Sequence, residues 1–173
     1  MLNYTAKRYL YEHSITREFY SGPYYSLFLV MRGSGVFRCG DALLPAQQQN
    51  LIIFKPSEGG RLEFSGTRGP LEMIRVRLSS EVLAALSDET TNLETCFNVV
   101  PFRQVSVRPG SEIYMLLKNL ARKMVMLPSE SSQFGASLFE IGILQMFTVL
   151  ALRACIHAES HTATVSRHHL MLD

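Results

Sequence analysis

Arginine is the informative residue type in the first half of this chain. Arg75 and Arg77 lie in "LEMIRVRL", where strand alternation puts Leu71, Met73, Arg75 and Arg77 on one face and Glu72, Ile74, Val76 and Leu78 on the other. A guanidinium turned into a small barrel is a costly buried charge unless an anion meets it. Two readings stay open. The arginines face solvent or pair with Glu63 and Glu72, or they line a pocket for a carboxylate, phosphate or polyol. Arg17, just after "HSIT", is a third residue of this kind.

Other chemistries find less support. Gly33-Ser34-Gly35 is followed by Val36-Phe37-Arg38, so the dinucleotide pattern GxGxxG fails. Gly35 and Gly40 have the spacing of the other phosphate loop, but Asp41 stands where its lysine is needed. A metal site needs clustered His, Cys or carboxylates. The strand half has one histidine, His13, while His157, His161, His168 and His169 gather at the far end. His157 and His161 are one helical turn apart, a usable ligand spacing, yet they fall where a helix is expected to end. No GxSxG occurs and no cysteine has an evident histidine partner. The chain therefore reads as having no catalytic group, no metal and no cofactor.

The elements that must position these residues come in two halves. Apolar residues make up 47% of the 173 and charged residues 18%, enough for one domain with a real core. A net charge of +2, spread along the chain, does not make a nucleic-acid surface. Cys39, Cys96 and Cys155 lie far apart and are odd in number, which points to a reducing cytoplasm rather than a disulfide framework. The opening "MLNYTAKRYLYEHS" lacks the apolar core of a signal peptide.

The first half reads as strands: "KRYLYEH", "REFY", "YYSLFLVMR", "GVFRC", Asn50 to Lys55, "RLEF" and "LEMIRVRL". The third and fourth are read as a hairpin through Gly33-Ser34-Gly35, and a further turn falls at Gly40-Asp41. Such spacing suggests a sandwich or barrel. The second half reads as helices. "SSEVLAALSD" is capped by Ser79 or Ser80, and "FRQVSVRP" returns one strand to the sheet. "GSEIYMLLKNLARKMVML" carries an apolar stripe at Ile113, Leu116, Leu120, Met124 and Leu127. A long apolar helix then runs from Phe134 to about His157, and the polar tail after it gives no element. That helix is long enough for a bilayer, but Glu140, Gln145 and Arg153 argue for a buried or interface helix instead. It is apolar around most of its circumference, so a second copy of the chain is one candidate to cover Leu138, Ile141, Leu144, Met146 and Leu152.

The order "VMRGSGVFRCGDALLPAQQQNLIIFKPSE" and "PLEMIRVRLSSEVL" resembles the N-terminal sensing domain of AraC-like transcription regulators. The resemblance rests on R-G-x-G at Arg32 to Gly35, F-x-P-x-E at Phe54 to Glu58, and an apolar strand leading into "SSEVL"; it covers roughly Leu10 to Cys155. It implies a mainly β chain with C-terminal helices: a small cupin-type double-stranded β-barrel followed by a helical dimerisation segment. Residues 1–109 would be the barrel, 110–158 the dimerisation helices and 159–173 a linker towards a helix-turn-helix half beyond Asp173. The implied function is non-enzymatic. A small-molecule effector of the sugar or organic acid class enters the barrel of a cytoplasmic homodimer, with DNA held only through the missing half and no membrane involved. The family comparison points to Arg17, Met73 and Arg75 as ligand contacts, with Phe28 and Arg61 added by position. Many relatives carry a histidine just after F-x-P-x-E, where this chain has Gly59, Gly60 and Arg61. The rival readings are a metal-dependent cupin enzyme and an oligomerisation module with a filled barrel.

Overall fold

A computed structural model describes residues 2–100, 104–107 and 111–172, the last stretch with side chains to residue 156. Nine strands precede or interleave with the helices: β1 (Tyr4–Tyr11), β2 (Ile15–Tyr20), β3 (Tyr25–Arg32), β4 (Ser34–Cys39), β5 (Ala42–Gln47), β6 (Asn50–Phe54), β7 (Gly59–Phe64), β8 (Leu71–Leu78) and β9 (Gln104–Ser106). They form two antiparallel sheets, a five-stranded one in the order β1-β8-β3-β6-β9 and a four-stranded one in the order β2-β7-β4-β5. Most links between successive strands cross from one sheet to the other. The result is a mainly β, cupin-type double-stranded barrel with C-terminal helices.

The expected hairpin between β3 and β4 is a corner instead. β3 pairs with β6 and β8, whereas β4 pairs with β5 and β7. Gly33, at φ 83°, carries the chain between sheets so close to the β7–β8 connection that a Cβ would lie 2.0 Å from the Pro70 carbonyl oxygen. Only glycine satisfies both the backbone angle and the approach. The true hairpin is the next one, where Cys39 faces Ala42 across Gly40-Asp41. β5 was not expected because Pro45 interrupts it; proline is tolerated there because β5 is a sheet edge.

The F-x-P-x-E stretch is a built turn. The Lys55 amide donates to Glu58 Oε1 at 2.8 Å, while Ser57 N and Gly22 O, and Ser21 N and Glu58 O, tie the turn to the β2–β3 connection.

Helix α1 (Ser80–Leu86) starts as expected, with the Ser79 hydroxyl accepting from the Val82 amide. Helix α2 (Leu93–Val99), absent from the sequence reading, is a short turn of chain fixed by its Asn92 cap and by buried Leu93 and Phe97. In α3 (Glu112–Met126) the buried stripe is Tyr114, Leu117, Leu120, Ala121 and Met124. Leu120, Met124 and Leu127 are buried as expected, while Ile113 and Leu116, expected in the same stripe, are only partly buried. The helix carries two adjacent apolar rows, and the sheet selects the one holding the large Tyr114 ring. A single 3-10 turn at Leu127–Glu130 leads to α4 (Ala136–Leu172). The backbone of α4 continues through the tail for which no element was expected. The side chains of the His157 and His161 pair lie outside the described residues.

Two cores result. Ile74, Val76 and Leu78 of β8 join β3, β6, β9 and all four helices in an aliphatic core outside the barrel. Leu71 and Met73, on the opposite face of the same strand, join Tyr9, Phe19, Phe28, Phe37, Phe54, Leu62 and Phe64 inside it.

Candidate functional site: a cationic seam

β1 is the edge of the five-stranded sheet and β2 the edge of the four-stranded sheet. Among the described residues each makes ladder bonds to one neighbour, β8 and β7 respectively, so the barrel has an unzipped seam between them. Residues paired in register share a face. Lys7 faces Arg75, Thr5 faces Arg77, Tyr9 faces Met73 and Tyr11 faces Leu71, so a row of β1 side chains stands beside the inward row of β8. From β2, Arg17 lies on the same side as buried Phe19.

Arg75 is the centre of the seam. It is 8% exposed, its Nη2 donates to the Tyr20 carbonyl at 3.0 Å and to Ser26 Oγ at 3.2 Å, and its guanidinium carbon lies 5.3 and 5.2 Å from the Phe19 and Phe28 ring centres. Arg17 stacks between Tyr9 and Phe19 at 5.0 and 4.9 Å and donates from Nη1 to Tyr11 Oη. Arg77 sits 4.6 Å from the Tyr24 ring and donates to the Ser21 carbonyl. Lys7 lies over Tyr9. Cation–π stacking replaces part of the lost hydration of these groups, but none of it neutralises charge.

Burial, first, pushes the Arg75 pKa down; the neighbouring Arg77 and Arg17 charges push it the same way, and the Tyr9 hydroxyl opposes them. Nε of Arg75, Nε of Arg77 and Oγ of Ser21 are buried without a hydrogen-bond partner. Unused donors within a cationic cluster favour an acceptor group over a donor.

The sequence-derived residues divide here. Arg17, Phe28, Met73 and Arg75 come together around Phe19 and the seam, with Phe28 and Met73 fully buried. Arg61 does not join them. On β7 it alternates with inward Leu62, so it points outward and meets Glu18 at 3.8 Å. Lys7, Tyr9 and Tyr11 escaped the sequence reading because their place depends on the β1–β8 register. Alternation gives Arg77 the face it occupies, and its place beside Tyr24 and Ser21 adds it to the seam.

The interior behind the seam is filled with rings. Tyr9, Phe19, Phe28, Phe37 and Phe54 meet at centroid distances of 5.1–5.9 Å, mostly edge to face. A cleft of about 650 Å³ lies elsewhere, between α3 and α4, where the Lys123–Glu130 ion pair at 2.8 Å crosses its wall. Among the described residues no three His, Cys, Asp or Glu side chains gather as a metal set. Burial pushes the Cys155 thiol up to about 12, which leaves it a core residue without thiolate character.

The long helix also divides. Leu144 and Leu152 are buried in the chain's own aliphatic core, which removes them from any surface; Leu138, Ile141 and Met146 are exposed, with Phe139 beside them. The stretch Ala136–Ile156 is long and apolar enough to cross a membrane, and half of its most apolar window is buried inside the fold.

Among solved structures, the chain is similar to the AraC-like transcriptional activator CuxR (10% identity, 83% of this chain and 49% of that one, TM-score 0.55). It is also similar to ToxT from Vibrio cholerae O395 (9% identity, 84% and 51%, TM-score 0.50). A cupin 2 conserved barrel domain protein from Salinispora arenicola CNS-205 matches over 45% of this chain and 65% of its own, at 13% identity and TM-score 0.40. The chain thus spans about half the length of the two regulators. No curated protein sequence matches it. The family model described as the AraC-like ligand binding domain matches residues 7–147, and the chain belongs to that family.

Proposed function

We propose that this chain is the effector-sensing and dimerising part of an AraC-like transcription regulator, working without catalysis in the cytoplasm. A small molecule binds at the seam, and its binding alters how two copies present the DNA-binding halves of the regulator. The observation that carries the reading is Arg75: a nearly buried guanidinium inside the barrel, facing other cations and holding an unused donor. A purely structural barrel gains only the bonds to the Tyr20 carbonyl and Ser26 from such a residue, and an apolar side chain of similar volume is cheaper to bury.

The proposed division of labour is 1–109 for sensing, 110–158 for dimerisation and 159–173 for connection to the DNA-binding half. Dimerisation falls to the exposed face of α4, where Leu138, Ile141 and Met146 surround Gly142 and Gln145. A Cβ at Gly142 would meet nothing within 4 Å, so a partner helix has room for close approach. Leu138 is 79% exposed, and a helix face of this kind is covered economically by its own copy about a two-fold axis. Coupling between the two sites has a material route. β1 lines the seam with Lys7, Tyr9 and Tyr11 and reaches α4 through Tyr4, which lies beside Glu140.

A thermal-shift screen against sugars, aliphatic acids and aromatic acids tests the reading. A ligand at a hundred times its Kd stabilises the fold by about 2.7 kcal/mol. The expected hit loses its effect in Arg75→Gln. A screen in which no class of compound moves the melting temperature favours the filled, purely structural barrel.

A further inference from the structure

The sensing proposal leaves the effector's class open between sugar and acid; the seam's own chemistry narrows it, and the inference rests on that proposal. We infer that the effector is a small organic acid with a flat apolar body, which enters between β1 and β2 and presents its carboxylate to Arg75 and Arg17.

The first argument is hydrogen-bond inventory. A sugar hydroxyl must donate as well as accept, so a sugar is held best where several acceptor oxygens, carboxylates and amides above all, face it. A guanidinium donates five times and accepts never. The side chains turned to the seam are Lys7, Arg17, Arg75 and Arg77, with hydroxyls of Tyr9, Tyr11 and Ser21. The unused buried donors include Nε of Arg75 and Nε of Arg77. A donor-rich, acceptor-poor set selects a ligand that only accepts, and an ionised carboxylate is that ligand.

The second argument is shape. Inorganic phosphate would satisfy the charge but waste the walls. Arg17 is clasped between the Tyr9 and Phe19 rings, and Arg75 between Phe19 and Phe28. Once a carboxylate draws the guanidinium groups off those ring faces, the faces need a new apolar neighbour. A flat body joined to the carboxylate supplies it. The third argument is access. Among the described residues no backbone ladder joins β1 to β2, and Arg17 with its Tyr11 contact is the exposed part of the seam. Opening there breaks side-chain contacts only.

The test uses the purified chain with benzoate, cinnamate and hexanoate, each beside its uncharged primary amide, and with glucose, arabinose and inorganic phosphate. Melting temperature and titration calorimetry are read for the parent, Arg17→Gln and Arg75→Gln. The expected result is that an aromatic carboxylate stabilises the parent, that its amide binds at least tenfold more weakly, and that both variants lose at least tenfold in affinity. Arg17 is exposed, so its variant tests the idea even if Arg75→Gln folds poorly. An amide that binds as well as its acid, or phosphate that outcompetes every carboxylate, overturns the inference. A sugar that stabilises where the acids do not overturns the acid class and leaves the sensing proposal standing. No shift with any probe takes both down.

Discussion

The two faces of β8 look into two different solvents. Ile74, Val76 and Leu78 enter a largely aliphatic core sealed by the helices; Met73 and Arg75 enter one richer in aromatic rings, with Arg77 stacked on Tyr24 beside it. One strand, alternating by one residue, supplies both. Among the described residues of α4 this core's buried polar side chain is Thr148, whose hydroxyl donates to the Leu144 carbonyl at 2.8 Å, while on α3 the neutral Tyr114 hydroxyl is buried without a partner. The barrel core holds charges whose donors are left over. Stability tolerates the first arrangement readily and the second only at a cost. The difference therefore separates a core of neutral side chains from one that also carries buried charge.

The hardest way to break the comparison is to empty the aliphatic side. Phe147 is fully buried between α4 and the rest of that core. Phe147→Ala is expected to lose about 3–5 kcal/mol in urea unfolding. Affinity for a seam ligand, measured on the fraction still folded, should stay near the parental value. A loss below about 1 kcal/mol would mean that this core is looser than its burial implies.

The barrel side should respond in the opposite sense. Arg75→Met removes a buried charge and keeps most of its volume. The variant is expected to unfold at the parental denaturant concentration or gain up to roughly 2 kcal/mol, as buried charges replaced by apolar groups do. Ligand binding should vanish. A variant that is clearly destabilised would make Arg75 a structural bracket for the Tyr20 carbonyl and Ser26, and the contrast between the cores would collapse.

Alternation made this contrast legible before any coordinates. "LEMIRVRL" gives the two faces directly, and Arg17, Met73, Arg75 and Phe28 do come together. Most strand and helix positions are also readable, because the apolar runs and their turn residues are local signals; β5, with Pro45 inside it, the short α2 and the polar end of α4 are not. Sheet membership was not. Gly33-Ser34-Gly35 looks the same in a hairpin and in a corner, and the deciding contact is Pro70, far along the chain. Arg61 was misplaced for a related reason, since the phase of β7 is set by its neighbours β2 and β4. In α3 and α4 too many apolar residues compete for too few buried positions, so Leu144 and Leu152 could not be told from Leu138 and Met146 by pattern alone.

The exposed row of α4 offers a prediction that leaves both cores intact. Leu138→Glu with Met146→Lys places charge on surface positions, where substitutions usually change subunit stability by no more than about 0.5 kcal/mol each. Light scattering at micromolar concentration should give a dimer for the parent and a monomer for the double variant. A parent that is monomeric throughout removes the dimer proposal, and the exposed leucine, isoleucine and methionine would then need another cover.

The smallest expected effect concerns the strand that touches both cores. Tyr4 lies on the helix-facing side of β1, opposite Leu78, while Lys7 and Tyr9 lie on the seam side. Burial, with the Glu140 carboxylate beside it, pushes the Tyr4 phenol up from 10.0 to about 12. The folded chain thus holds this proton more tightly than the unfolded chain does. Its contribution to stability is fully present below pH 10.0 and is lost as the pH rises towards about 12. Urea unfolding at pH 8, 10 and 11 should show the parent losing stability against Tyr4→Phe across the upper part of that range. Parallel pH curves would mean that the phenol is not held against α4. β1 would then lose its claim to carry a change at the seam into the dimer helix, because Tyr4 is where the strand meets Glu140.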